Sequence, residues 1–372
     1  MILLLSLLAL FILGTALLIF FVRMRNMQYW LPAYIAQFVS KKRSSKKKVK
    51  HVYFCFADHY EPYYQEASPE LAKKRVDKWL EEYPEIACRY TDSHGRHPQH
   101  SFFYPEEEYD ELLLAGISDL CRDGYGDVEV HLHHDNDTAE ALTKKLVDFK
   151  ATLYDRHGCL RKDEKTGEVI YAFIHGNWAL DNSRPDGRWC GVDNELDVLV
   201  DTGCYMDMTM PSAPSDTQTK KINSIYFAKG RDGCSKSHDS GRDVEVGGLW
   251  ASPGELLIVQ GPLALNWRKR KWGFLPKIES SELSQDCPPD LERIKLWGAC
   301  GISVKGAEEH VFIKVHTHGA TEENAKMLFN DGGFVDLWEG LQRTYKDVDG
   351  CQLHYVSARE MYDKVRELVS LN

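Results

Sequence analysis

The sequence predicts an α/β fold, one barrel-like domain of alternating strands and helices placed behind a single N-terminal transmembrane helix. Three observations carry this expectation. The first 22 residues form an apolar run without a charged side chain, long enough to cross a bilayer core as a helix. Strand-like and helix-like segments then alternate through residues 51–372, the pattern of a largely parallel sheet covered by helices. Finally, strand-like runs far apart in sequence, VYFCFADH (52–59), VEVHLHHDND (128–137), IYAFIH (170–175) and VFIKVHTH (311–318), each end in histidine, three of them with Asp or a second His beside it. In barrel-type α/β enzymes the ends of the strands share one rim, where such residues can meet.

Residues 1–22 read as an uncleaved anchor. A cleaved signal peptide calls for a basic start, a shorter apolar core and a small-residue cleavage site, and none is evident. Residues 23–50 read as a basic juxtamembrane linker. They carry Arg23, Arg25, Lys41, Lys42, Arg43, Lys46, Lys47, Lys48 and Lys50 and no acid. Basic residues beside a span stay on the cytoplasmic side, which puts the large C-terminal part in the cytoplasm; a periplasmic or extracellular body is the alternative orientation. Tyr29, Trp30 and Tyr34 within 27–39 suit an interfacial segment, and the basic linker suits anionic lipid headgroups.

The remaining elements follow in order. Strand 51–57 leads to a helix opening at Ser68-Pro69-Glu70, with Ser as cap and Pro in the first turn, and Leu71, Val76, Trp79, Leu80 and Tyr83 on one face. A helix over 105–116 comes next, then strand 127–133, helix 138–153 and strand 169–175. Helix 194–201 stops at Gly203, a C-terminal cap. Strands 204–209, 223–227 and 255–259 precede strand 310–316 and helix 321–330. Strand 352–356 and helix 358–369 close the chain, the latter with the capping box Ser357…Glu360. Residues 51–372 form one domain, and loops 177–193 and 228–250 are expected as insertions on the functional rim.

Charge narrows the partners. Nine of the 46 Lys and Arg lie in the first fifty residues, so residues 51–372 hold 37 basic against 56 acidic side chains. A body that acidic is a poor match for nucleic-acid phosphates. The ten cysteines are scattered without a CxxC pair, which argues against a zinc knuckle and for reduced thiols. No phosphate loop, nucleophile elbow or HExxH motif occurs.

The rim residues then define the candidate site. His131 and His133, two apart on a strand, point the same way and make a two-imidazole metal grip. Asp137 is either a further ligand or only the cap of the following helix, since Asp137…Glu140 has capping-box spacing. Asp58 follows a buried strand, where a carboxylate serves a metal or acts as a general base; His59 and Glu61 stand beside it, Glu61 as a second candidate acid. His316 and His318 share one side of their strand and could pass a proton at neutral pH. After His175, the loop offers Asn177, Trp178, Asp181, Asn182 and Arg184. Aromatic rings beside amides and acids suit a sugar, which has apolar faces and a hydrogen-bonding rim.

These segments resemble the polysaccharide deacetylase superfamily, the NodB-like carbohydrate esterases, over roughly residues 51–369. The resemblance implies a distorted (β/α) barrel of the glycoside hydrolase/deacetylase type, a divalent ion, zinc or similar, and hydrolysis of an acetyl group from a sugar. The family's Thr-Phe-Asp-Asp strand end is similar to Cys55-Phe56-Ala57-Asp58, so Asp58 matches the metal-binding Asp while Ala57 replaces the family's base. Its Glu-Ile-Gly-x-His-x-x-x-His motif is similar to 129–137, with His133 at the first ligand and Asp137 where the second His is expected. Its Leu-x-His motif resembles Val-His-Thr-His (315–318), which makes His316 or His318 the general acid. On this basis Asp58, His133 and Asp137 hold the metal with His131 as an extra ligand, and His59 or Glu61 is the base. His175, Asn177, Trp178, Asp181 and Arg184 face the substrate, an acetylated glycan or lipid-linked sugar. The rival expectations are another metal-dependent amidohydrolase, and a degenerate barrel that binds glycan or scaffolds a membrane complex, the reading that Ala57 favours.

Overall fold

In the computed structural model, residues 2–43, 48–231 and 233–371 are described; Lys46 and Lys47 of the basic linker lie outside them. Helix α1 (Ile2–Met24) is exposed, and from Leu4 to Met24 it is long and apolar enough to cross a membrane, a property that signal sequences share. Helix α2 (Leu31–Arg43) follows directly, so much of the expected linker is helical. Trp30 is fully buried with Ala213, Ile222 and Leu263. Gln37 Nε2 donates to the Ile222 carbonyl at 2.7 Å and Asn26 Nδ2 to that of Pro214 at 3.0 Å. The segment that follows α1 is thereby packed onto the body.

Next come β1 (His51–His59), α3 (Pro69–Ala87), β2 (His100–Pro105), α4 (Glu111–Leu120), β3 (Gly126–Leu132) and α5 (Ala139–Asp155). β4 (Arg161–Lys162), β5 (Val169–His175), α6 (Glu195–Asp201), β6 (Cys204–Asp207), β7 (Ile225–Lys229), β8 (Arg242–Asp243) and β9 (Glu255–Val259) follow. The chain ends with β10 (Ala264–Lys271), β11 (Leu275–Glu279), α7 (Leu291–Cys300), β12 (His310–Thr317), α8 (Glu322–Ala325), α9 (Gly333–Tyr345), β13 (Gln352–Tyr355) and α10 (Ala358–Val369). The Ser357/Glu360 capping box at α10 is present in full. The helix expected over 105–116 starts later. Pro105 still belongs to β2, Glu106–Glu108 form a 3₁₀ turn, and Asp110 accepts hydrogen bonds from the Leu112 and Leu113 amides to cap α4. β2, the β10–β11 hairpin, α7 and α9 carried no sequence expectation.

The sheet runs β12-β1-β2-β3-β5-β6-β9-β7-β8. Pairing is parallel from β12 to β9 and antiparallel at β7 and β8. The barrel expectation is corrected here: among the described residues no strand pair joins the two ends, and the sheet is open. The free edge of β12 is instead met by an irregular segment, His316 N donating to the Ser281 carbonyl at 3.1 Å and Leu283 N to that of His316 at 2.7 Å. At the far end β7 turns antiparallel to β9 and continues into β8.

Side chains alternate across the sheet. Val52, Phe54 and Phe56 of β1, with Val128, Val130 and Leu132 of β3, pack against α3, α4, α5, α7 and α9. Tyr53, Cys55 and Ala57 join Phe103, Ala172, Ile174 and Phe312 against α10. The second face also buries charge. Glu129 accepts from the Ala172 amide at 2.5 Å and from the Tyr205 hydroxyl, and burial, with Asp127 nearby, pushes its pKa up to about 8. An acid whose pKa rises on folding stabilises the fold below its unfolded value, near 4.5, and that contribution is lost as pH rises through about 8. Glu129→Gln, which keeps the shape and cannot ionise, is expected to raise the thermal midpoint by roughly 2–4 °C at about pH 9 and to change it little at about pH 5. Calorimetry of the detergent-solubilised protein at the two pH values checks this.

Candidate metal centre

Because β12, β1, β2, β3, β5 and β6 are parallel neighbours, their C-terminal ends lie along one edge of the sheet. Period-two alternation then decides which side chains meet there. His59 continues the Tyr53–Cys55–Ala57 side of β1, and His131 the Glu129 side of β3, both on the α10 face. Asp58 and His175 continue the opposite, helix-covered side.

The centre is Glu61, two residues past the end of β1. Its Oε1 lies 3.1 Å from His131 Nε2, 3.6 Å from His133 Nε2 and 3.8 Å from His318 Nε2. His59, Glu61 and His131 are buried, and each offers a ligand atom within 4.8 Å of the others'. His131 Nδ1 lies 2.8 Å from the Ile174 carbonyl, which can only accept, so Nδ1 carries the proton and the Nε2 lone pair faces Glu61. Two acceptor atoms at 3.1 Å repel each other unless a proton or a cation lies between them. A carbonyl fixing the tautomer of an imidazole in this way is the usual support of a metal-ligating histidine. Two imidazoles and one carboxylate with a further position open form a donor set suited to zinc and similar ions.

Burial shapes the charges. It lowers the pKa of His131 to about 3 and holds that of His59 well below the ordinary value, in both cases reinforced by neighbouring imidazoles, so both rings are neutral and able to ligate. Burial also raises the Glu61 carboxyl, with His318 and His133 opposing the rise. His133 behaves differently. Burial works against its charged form, but the Glu107 hydrogen bond and the charges of Glu61 and Glu107 outweigh it and hold the pKa above the ordinary value. Glu107 Oε1 sits 2.5 Å from His133 Nδ1 and 3.1 Å from its backbone N. The side chains of His133, Glu107 and His318 are 30 %, 34 % and 25 % exposed, against 3 % or less for Glu61 and His131, so the first three form the mouth and the latter two the floor.

Trp178 closes one side, its ring centroid 5.9 Å from those of His59 and His318 and 6.5 Å from that of His316. Tyr64 stands 6.2 Å from His318 on the outside. His316 is buried behind them with Nδ1 unpaired. Burial, then the nearby Lys314, holds its pKa well below the ordinary value.

Other residues singled out from the sequence lie elsewhere. Both Asp58 oxygens are engaged, Oδ2 by His100 Nε2 at 2.9 Å and Oδ1 by the Gly319 amide at 2.7 Å. Asp137 Oδ2 pairs with Lys145 at 2.7 Å and lies 3.4 Å from His134 Nδ1. His175 and Asp181 are fully buried on the helix-covered face. Arg184 is paired with Asp186 and stacked on Trp189. Asn177 lies next to Trp178 in a turn, both with positive φ.

Three side chains of these buried clusters carried no expectation from the sequence: Glu107 in an acidic run taken for the first turn of a helix, His100 in a segment given no element, and Glu195 in the helix expected over 194–201. No family model matches the chain, and no curated protein matches it.

Gly319 has the Asp58 carboxylate against its backbone. A Cβ there would fall 2.2 Å from Asp58 Oδ2 and 2.6 Å from Trp79 Cζ2. Gly319→Ala is expected to cost about 1–3 kcal/mol of stability, read as a lowered denaturation midpoint, and to shift the adjacent His318.

Proposed function

We propose that this protein is a membrane-anchored, metal-dependent hydrolase that removes an acetyl group from a sugar of a polysaccharide or lipid-linked glycan. One observation carries the reading: the unprotonated Nε2 of His131 faces Glu61 Oε1 at 3.1 Å in a buried site, an arrangement that a divalent cation relieves. His59, Glu61 and His131 hold that ion, with zinc the best match to their donor atoms. When bound, it supplies Lewis acidity that polarises a carbonyl oxygen and acidifies water.

The chain's own residues do the rest. His133, whose protonated form Glu107 favours and which solvent reaches, gives a proton to the leaving amine or alcohol. After that transfer the Glu107 carboxylate still fixes its ring. Neutral His318 at the mouth can take a proton from the attacking water; with Ala57 on β1 unable to act as a base, a base has to come from beyond the strand ends. Trp178 and Tyr64 offer rings to the apolar face of a sugar. The sugar and acetyl parts of the reading rest on the deacetylase-like motifs, and the hydrolytic part on the metal centre.

Anchoring rests on α1 and on the hairpin beside it. Trp272 meets Phe21 edge to face at 6.1 Å, and Trp267, Trp272 and Phe274 are exposed alongside Arg268, Lys269, Arg270 and Lys271. Aromatic rings flanked by cations suit the headgroup region, and the basic residues after the span support a cytoplasmic body.

Metal content and acetate release from N- or O-acetylated glycans test the reading on one preparation. Wild type is expected to retain a divalent ion and release acetate, and Glu61→Gln to lose both. His133→Ala is expected to keep the ion while kcat falls roughly 10²–10⁴-fold. A wild type that holds no divalent ion at the Glu61 centre would sink the proposal.

A further inference from the structure

We propose that His134, His175, Cys190 and Glu195 hold a second divalent ion, in a closed site of zinc type on the helix-covered face of the sheet. This inference is independent of the first centre, which lies across β3 and β5. The four residues are buried, and each presents a ligand atom within 4.8 Å of the others'. His134 Nε2 lies 3.0 Å and His175 Nε2 3.3 Å from Glu195 Oε1, and Cys190 Sγ lies 3.5 Å from Glu195 Oε2. Two imidazoles, a thiol and a carboxylate, with both histidines and Glu195 0 % exposed in their side chains, make up four protein ligands and leave no position for substrate, as in metal sites that serve folding.

The hydrogen bonds point the same way. His175 Nδ1 contacts the Gly176 carbonyl, which fixes the proton there and turns the Nε2 lone pair inward. That atom is fully buried and has no hydrogen-bond partner despite its distance to Glu195. A network held by protons alone leaves it facing a carboxylate oxygen, whereas a cation satisfies both. His134 Nδ1 is buried without a hydrogen bond, 3.4 Å from Asp137 Oδ2, which pairs with Lys145 at 2.7 Å. On binding, Cys190 releases its proton to solvent and ligates as thiolate, Glu195 as carboxylate and both histidines as neutral rings.

The ion would hold a strained loop. Asn177, Trp178, Asp181 and Asn182 all have positive φ, between 48° and 55°, a conformation that Asn and Asp tolerate but that costs energy at Trp178. Glu195 Oε2 accepts from the Asp181 amide at 2.5 Å, and the Cys190 carbonyl from the Asp137 amide at 3.0 Å. The same loop carries Trp178 to the first centre, so the second ion positions a wall of that site without taking part in its chemistry.

Cobalt(II) distinguishes the two centres, because only the Cys190 site gives a thiolate-to-metal charge-transfer band in the near ultraviolet. Full-length protein in detergent, stripped and reloaded with cobalt, is expected to bind two ions and show the band. Cys190→Ser should lose one ion and the band, while Glu61→Gln should lose one ion and keep it. No thiolate band in wild type, or a band unchanged in Cys190→Ser, overturns the proposal. Should Cys190→Ser fail to fold, alkylation of wild type decides: Cys190 is expected to be protected when loaded and to become reactive after chelation, and equal labelling in both states overturns the proposal.

Discussion

β1 is held on both edges. β12 pairs with it from His51 to Asp58, while its other edge is shared by β13 over His51–Phe54 and β2 over Phe56–His59. With three parallel partners and apolar cores on both faces, β1 cannot slip without turning every side chain to the wrong side. A shift of one residue would put Asp58 in the metal centre and His59 into the aromatic packing around Trp79 and His100. The site at the sheet edge, its depth and its separation from the Asp58–His100 pair all follow from that register.

The same alternation splits the short segment His131–Leu132–His133–His134 between two environments. His131 reaches the Glu61 floor, His133 the solvent-exposed mouth, and His134 the opposite face with His175 and Glu195. Two imidazoles of one segment consequently behave in opposite ways. His131 is neutral because burial and the neighbouring His133 outweigh the nearby carboxylates, whereas the Glu107 hydrogen bond and the charges of Glu61 and Glu107 outweigh burial at His133 and raise its pKa. In a low-dielectric site the desolvation of an ion is decided by such single contacts.

Much of this was legible in the chain. Central strands reveal themselves as apolar runs, and β1, β3, β5, β9 and β12 lie close to their expected places; the Ser68 and Ser357 caps likewise mark α3 and α10 through local hydrogen bonds. The residues at the ends of those runs, His59, Glu61, His131, His133, His316 and His318, are those that gather at the edge. Less legible was β2, whose HSFFYP stretch is short and stands beside proline and acids that also suit a helix start. The β10–β11 hairpin alternates around tryptophans and cations that face outward, so it carries little strand signal.

By itself the sequence determined the parallel core strands, the apolar N-terminal helix and the supply of histidines and carboxylates where the strands stop. These depend on periodicity and neighbouring residues, which are written locally. Only the tertiary structure decided that the sheet stays open, that Asp58 is spent on His100 and Gly319, and that Glu61 rather than Asp58 is the carboxylate among the histidines. It also brought Cys190 and Glu195 to His134 and His175. Each of these outcomes turns on which face a side chain takes and on which distant backbone group satisfies it, and both are fixed by strand register and loop packing that no single segment contains.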